Sequence, residues 1–502
     1  MNVSTDINNI AFDNDKYLKI QKEAILERIN NFNNSNLYIE FGGKLFDDFH
    51  ASRVLPGFRS DIKLKLLLSL KKDIGMVIVV NCDDIILGKA RNDTGITYCD
   101  EVKKIINKFE EIKLDILGVV FNFYKQNLVV DNFISFLKKN NINVFKCYKI
   151  NNYPSNIETI FGKDGFEKND YLKTTKPIVI VTAPGPGSGK MSFCLSQLYH
   201  DNKNNIKAGY VKYETFPVWN LPITHPVNLA YEAATLDLND INLIDPFHLK
   251  EYKKIAVNYN RDIDSFPILQ MIFKKIYGFS PYKSPTDMGI NKVGFAIIND
   301  NIACKASKNE IIRRFFKTLK KNFLGKCSDN EVEKAKNILC KANLKIFDRH
   351  CVEACLKKEL EVKKICIALE KNNNEFIYGK QSFLMTASSS LLINVLKSFA
   401  NIDKELLFLS PEIISPINNL KLKIFKDSNN VKINIKELLI ILALLSETNN
   451  NAKKLLDQID KLNGLQAHSS VIISNDELDV FQKLGINITE EIKYDEKNFD
   501  FY

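Results

Sequence analysis

The stretch Pro177 to His200, PIVIVTAPGPGSGKMSFCLSQLYH, constrains the fold more than any other part of the chain. Ile178 to Val181 are four consecutive β-branched residues, as a strand buried on both faces requires, and Met191 to Tyr199 spaces its apolar residues as a helix does. The connection between them, APGPGSGKM, holds three glycines, two prolines and a serine. Such a connection exposes successive backbone N–H groups at a helix N-terminus, where partial positive charge favours an anion, and Lys190 adds a full charge. Gly185, Gly187, Ser188, Gly189 and Lys190 are therefore expected to hold phosphate. The stretch departs from the triphosphate loop G-x-x-x-x-G-K-S/T in two places. Pro184 stands at the first glycine, and Met191 follows the lysine, with the nearest hydroxyl one place late at Ser192. Phosphate is the first expectation, and ATP with Mg2+ as cofactors is a narrower one. The same glycines also suit a plain tight turn from strand to helix.

Around this stretch the chain alternates between the two periodicities. Helices are expected over 17–29, 62–70, 98–109 and 129–139, and strands over 37–41, 76–80, 116–121, 144–148 and 208–213. That order predicts an α/β fold: a Rossmann-like N-terminal region whose parallel sheet carries helices on both faces. At 502 residues the chain exceeds a single core. Its expected division is an α/β domain over 1–300 with the glycine loop, an inserted helical subdomain over 301–370, and a smaller C-terminal α/β domain over 371–502. Residues 310–370 show almost no strand signal. Beyond them strands are expected near 383–386, 470–473 and 486–489, and helices over 391–399, 435–445, 452–462 and 477–484.

Ligands of such sheets collect at the carboxyl ends of the strands. In the loops there, Lys44, His50, Arg53, Lys89 and Arg91 form a candidate anion-binding lining, although solvated loop charges would look the same. Lys212, ending the strand after the glycine loop, is placed to reach a carboxylate or phosphate. The long connection 213–249 holds the only tryptophan, four prolines and several acids, a density that usually builds a binding site. Glu232 and Asp237 are its candidates for general base or metal ligand, or alternatively helix-end acids. His225, His248 and His50 are candidates for proton transfer near neutral pH. Asp287 and Asn291, in a second polar knot leading to an expected strand over 293–298, either close over the same site or form turns. Thr386 to Ser390 reads as a helix cap first and an anion site second; His468, Ser469 and Ser470 lack the G-x-S-x-G elbow that would support a Ser–His pair.

Composition excludes several classes. No apolar run reaches the ~18 residues of a membrane span and the N-terminus lacks secretory order, so a cytoplasmic protein is expected. Net charge is +10, but the lysines are spread along the helices and do not alternate with aromatics, so nucleic acid is not an expected partner. A small phosphorylated molecule is, together with self-association as a homo-oligomer. The ten cysteines form no C-x-x-C pair and read as reduced, packed thiols; the spacing of residues 340–366 fits no common zinc pattern, and no metal site is assigned.

GGKLFDDFHASRVLPGF (42–58), TAPGPGSGKMSFCLSQLYH (182–200), YETFPVWNLPITHPVNLAYEAATLDLNDINLIDPFHL (213–249), SPTDMGINKVGFAI (284–297) and HSSVIIS (468–474) resemble the bacterial domain-of-unknown-function family 1846, uncharacterised protein family 0371. The resemblance covers essentially the whole chain. It implies an α/β N-terminal region, a small helical domain and an α/β C-terminal region, and no catalytic residue. A weaker likeness is to ATP-dependent synthetases of the dethiobiotin synthetase type, in which the strand after a glycine-rich G-K loop delivers a lysine, here Lys212 in GYVKYE. The functions these features suggest are a phosphate-ligand enzyme of ligase or kinase type, an enzyme acting on a sugar phosphate or similar metabolite without nucleotide, or a non-catalytic ligand-binding scaffold.

Overall fold

The structure, a computed structural model, describes residues 10–494 apart from 33, 34, 44, 47, 92–94, 373, 407, 409, 410 and 425–430. Its strands are β1 (Asn36–Phe41), β2 (Ile74–Asn81), β3 (Ile116–Asn122), β4 (Val144–Lys146), β5 (Ile178–Thr182), β6 (Ala208–Tyr213), β7 (Asn242–Ile244), β8 (Val257–Tyr259), β9 (Gly289–Ile290), β10 (Cys366–Asn372), β11 (Glu375–Lys380), β12 (Gln466–Ser469) and β13 (Asn487–Glu490). The described chain divides into two compact units, one ending at Ala306 and one beginning at Ser307, so the boundary falls inside the helix Asp300–Phe323.

In the first unit β1 to β6 and β9 form a parallel sheet in the order β4-β3-β2-β5-β1-β6-β9. The period of two along each strand divides the core cleanly. Leu37, Ile39, Met76, Ile78, Ile178 and Ile180 pack on one face with the helices Asn14–Asn30, Ile62–Ser69, Tyr98–Glu111 and Leu128–Lys139. Tyr38, Val77, Val79, Val179 and Val181 pack on the other with the helices Lys190–Lys203 and Asn260–Tyr277. A strand covered on both faces has no solvent side, which is why these runs read as continuously apolar. The chain leaves β1 past β5 toward β2, and leaves β5 past β1 toward β6. This reversal places the carboxyl ends of β1 and β5 at the position where parallel sheets open a crevice.

The second unit has a smaller sheet, β11-β10-β12-β13, in which only β12 and β13 run parallel. The helices Ala387–Ala400, Ile435–Ser446 and Asn450–Leu456 supply its main core. The Arg349 guanidinium is fully buried and donates to the carbonyls of Ala467 and Asn487 and to the side chains of Gln466 and Thr489. Burial pushes its pKa down.

The α/β architecture with a smaller C-terminal α/β region is as the sequence predicts, but four local expectations change. Residues 293–298 are not a strand: Val293–Ala296 is a 3-10 turn, because the Asn291 carboxamide accepts the Val293 N–H while donating to the Thr215 and Pro217 carbonyls. The helical stretch 310–370 already contains the start of β10 at Cys366. The strand expected at 470–473 lies at Gln466–Ser469, and the Ser469 hydroxyl then turns the chain through bonds to the Val471 backbone. At 383–386 only an isolated bridge, Met385 to Ile433, remains. The hairpin of β7 and β8, inside the long connection after β6, has no counterpart in the sequence expectations. No helix among the described residues is long and apolar enough to cross a membrane.

Candidate functional site

The glycine loop joins the fully buried β5 to the helix Lys190–Lys203. Its carbonyls are tied back into the protein: the Ser188 hydroxyl donates to Gly185 O at 2.8 Å, Asn81 Nδ2 to Gly187 O at 3.4 Å and Asn122 Nδ2 to Ser188 O at 3.1 Å. The two asparagines end β2 and β3 in register with each other. Gly187 and Gly189 are left-handed, with φ of 74° and 86°, and Ser188 between them is not. Alternating hand along three residues is the arrangement that converges successive N–H groups into an anion-binding nest. The helix then begins at Gly189 with no side-chain cap on its first N–H groups. By contrast, the helices Asn14–Asn30, Tyr98–Glu111, Leu128–Lys139 and Pro226–Ala234 are capped by Asp13, Thr97, Asn127 and His225.

Beside the loop, the ends of β1 and β6 carry a buried charge cluster. Lys190 Nζ lies 3.8 Å from Glu40 on β1, and the other Glu40 oxygen accepts the Tyr210 hydroxyl at 2.6 Å. Glu40 is in register with Lys212, which is 9 % exposed. Lys212 donates to Asp262 and to the Tyr259 hydroxyl, and lies 3.0 Å from Glu214 Oε1; Tyr259 in turn donates to Glu214. Burial works against the Lys212 charge, yet Asp262 and Glu214 more than offset it and raise its pKa. Burial raises Glu214 to about 7, against the opposing pull of Lys212. Two lysines thus face three carboxylates, and the proton that Glu214 takes up near neutrality balances the group. A carboxyl with this pKa suits general acid–base work at physiological pH.

The Glu214 pKa exceeds its ordinary value of 4.5, so between the two the folded chain binds more protons than the unfolded one. Its contribution to stability is therefore greatest at low pH and declines as pH rises to 7, by about 1–3 kcal/mol. In urea unfolding measured between pH 4.5 and 8, Glu214→Gln is expected to lack that decline; parallel pH profiles for parent and variant would contradict the shift.

The sequence candidates scatter around this centre. Gly185, Gly187, Ser188, Gly189 and Lys190 come together as expected, with the Tyr98 ring packed so closely on Gly185 that a Cβ there would lie 2.1 Å from its hydroxyl. Lys212 joins them but is held by Asp262, Glu214 and Tyr259, so it does not present the free ammonium that the synthetase likeness implies. His50 sets its ring edge-on to Phe216 and tilted to Tyr231, and Arg53 shares its helix, Phe49–Val54. Arg91 is paired with the nearly buried Glu101. Asp287 accepts the Lys283 N–H and the Tyr252 hydroxyl, and Asn291 pins the 215–217 backbone, so both shape turns. Glu232 is buried on the helix Pro226–Ala234, and Asp237 is exposed in the turn Leu236–Leu238. His225 caps that same helix and meets Asp300 at 3.0 Å. Lys44 lies outside the described residues. Glu40, Tyr259, Asp262 and Asn122 were not among the sequence candidates. The asparagine that closes each of two successive strand runs, VIVVN and VVFN, was the one signal available for the last.

In the second unit Thr386 does cap the helix Ala387–Ala400, and the Glu477 carboxyl accepts from the Thr386 hydroxyl, so a side chain of the protein itself occupies that N-terminus. Among the described residues, His468 bonds to Thr489 and faces Glu491, and no serine hydroxyl meets either nitrogen.

The fold and this site define a parallel-sheet α/β protein with a glycine loop at its carboxyl edge. Over residues 10–343 the chain matches the family model described as domain of unknown function DUF1846, N-terminal, and over 347–500 the corresponding C-terminal model. A UPF0371 protein of Streptococcus pyogenes serotype M28 is 45% identical over 485 residues, covering 97% of this chain and 98% of that one. A UPF0371 protein of Streptococcus thermophilus is 45% identical over 484 residues, covering 96% and 98%. The chain belongs to the DUF1846 family.

Proposed function

We propose that the chain binds a small phosphorylated ligand on the glycine loop and transfers a proton on it through Glu214. The observation that carries the reading is the polarity of the loop: the carbonyls of Gly185, Gly187 and Ser188 turn inward to Ser188, Asn81 and Asn122, while the helix N-terminus keeps its first N–H groups uncapped. Lys190, held only loosely at 3.8 Å from Glu40, supplies a cation that can turn to the phosphate. A phosphorylated metabolite suits the loop better than Mg2+–ATP. Met191 offers no hydroxyl at the position after the lysine, and the nearest, that of Ser192, comes one place late, so the loop lacks its usual magnesium ligand.

Thermal unfolding against inorganic phosphate, sugar phosphates and nucleotides, each with and without magnesium, tests this. A ligand at a hundred times its dissociation constant stabilises the fold by about 2.7 kcal/mol. That shift is expected with metal-free phosphorylated compounds and is expected to vanish in Lys190→Ala. A shift confined to ATP with magnesium would restore the nucleotide-dependent reading. No shift with any phosphate would reduce the loop to a turn.

A further inference from the structure

Away from the glycine loop, the N-cap of the helix Pro226–Ala234 meets the first turn of the helix Asp300–Phe323. Three metal-ligating side chains converge there. His225 Nε2 lies 3.0 Å from Asp300 Oδ1 and 3.5 Å from Cys304 Sγ, and Cys304 Sγ lies 3.6 Å from Asp300 Oδ2. All three ligand atoms fall within 4.8 Å of one another. Zinc bonds of about 2.0–2.3 Å in tetrahedral geometry separate neighbouring ligand atoms by roughly 3.3–3.7 Å. The two separations from Cys304 Sγ fall in that range, and that from His225 Nε2 to Asp300 Oδ1 is shorter, at 3.0 Å. Asp300 and Cys304 are four residues apart on one helix, so a single turn presents both on one face. His225, whose side chain is only 10 % exposed, is fixed in place as a helix cap.

We propose that His225 Nε2, an Asp300 carboxylate oxygen and Cys304 Sγ form a binding site for a divalent cation of the zinc type. The donor set of imidazole, carboxylate and thiolate selects such an ion over magnesium or calcium, which take oxygen ligands. One carboxylate and one thiolate neutralise a dication. The side chain of Asp300 is 61 % exposed, so the fourth position opens to water, as in sites with three protein ligands. Binding releases the Cys304 thiol proton to solvent. It also moves the imidazole proton from Nε2 to Nδ1, and the Val227 N–H, which Nδ1 accepts at 3.2 Å, gives up that bond. The ion would clip the connection after β6 to the start of the helix Asp300–Phe323. This site is independent of the phosphate reading.

The test uses the full chain, stripped with chelator and titrated with Co2+, whose thiolate charge-transfer band in the near ultraviolet reports sulfur ligation. One equivalent is expected to bind, to be displaced by Zn2+, and to raise the melting temperature. Cys304→Ser is expected to lose the band, and His225→Asn to weaken binding at least tenfold. Asparagine retains a side-chain acceptor for the Val227 N–H, so the cap survives while the metal ligand is lost. The proposal falls if no band forms. It falls equally if the band persists in Cys304→Ser, which would assign it to one of the other cysteines, or if His225→Asn binds as tightly as the parent.

Discussion

Lys212→Met is expected to destabilise the first unit by about 3–5 kcal/mol, the cost of leaving buried carboxylates without their cation. Lys212 is the shared partner of Asp262 and Glu214, which are 6 % and 4 % exposed. Methionine matches its length and removes only the charge. Glu214, without the lysine that lowers its pKa, would then take up a proton at still higher pH. Urea unfolding at pH 7 measures the loss directly. The triple replacement Lys212→Met, Glu214→Gln, Asp262→Asn is expected to recover most of it, because a neutral carboxamide costs far less to bury than an unpaired carboxylate. A loss below about 1 kcal/mol in the single variant would mean that the cluster is hydrated and that Lys212 does not hold it together.

Gly189→Ala is expected to cost about 2–4 kcal/mol and to abolish phosphate binding, whereas Gly187→Ala should cost about 1–2 kcal/mol. Both glycines are left-handed, so both variants carry the strain of a Cβ at positive φ. They differ in surroundings. A Cβ on Gly187 meets nothing within 4 Å, but one on Gly189 would lie 1.6 Å from Asn122 Nδ2. Asn122 is 2 % exposed and can yield only by releasing the Ser188 carbonyl, which leaves a buried acceptor unpaired and frees the loop to rotate its N–H groups. Equal unfolding free energies for the two variants would show that Asn122 adapts freely and does not fix the loop.

Much of the first unit was legible because its strands are buried on both faces. The runs Ile178–Val181 and Met76–Val80 are continuously apolar, and their shortness and β-branched content mark them as strands rather than buried helix. Short strands were not legible. β7, β8 and β9 have two or three residues each, too few for a period to register, and they exist because a neighbour offers a ladder. The expected strand at 293–298 failed for the converse reason: its composition suits a strand, but Asn291 diverts the backbone through bonds to residues more than seventy positions away in sequence. The charge cluster shows the same limit. Asp262 sits on a helix fifty residues after Lys212, and nothing in the local pattern NYNRDID marks it as that lysine's partner.

The sequence by itself determined the layered α/β architecture, the position of the glycine loop between a central strand and a helix, and membership of the DUF1846 family. The first two follow from local periodicity and turn chemistry, which act over a few residues; the family membership follows from the resemblance of long motifs along the chain. Only the tertiary structure decided that Lys212 is bound to Asp262 and Glu214, that Asn81 and Asn122 tie back the loop, and that His225 meets Asp300 and Cys304. Each of these joins side chains from separate elements at the ends of strands or helices. Their meeting depends on strand order and helix packing, because a side chain's ionisation and hydrogen bonds are set by whatever the fold places within a few ångströms of it.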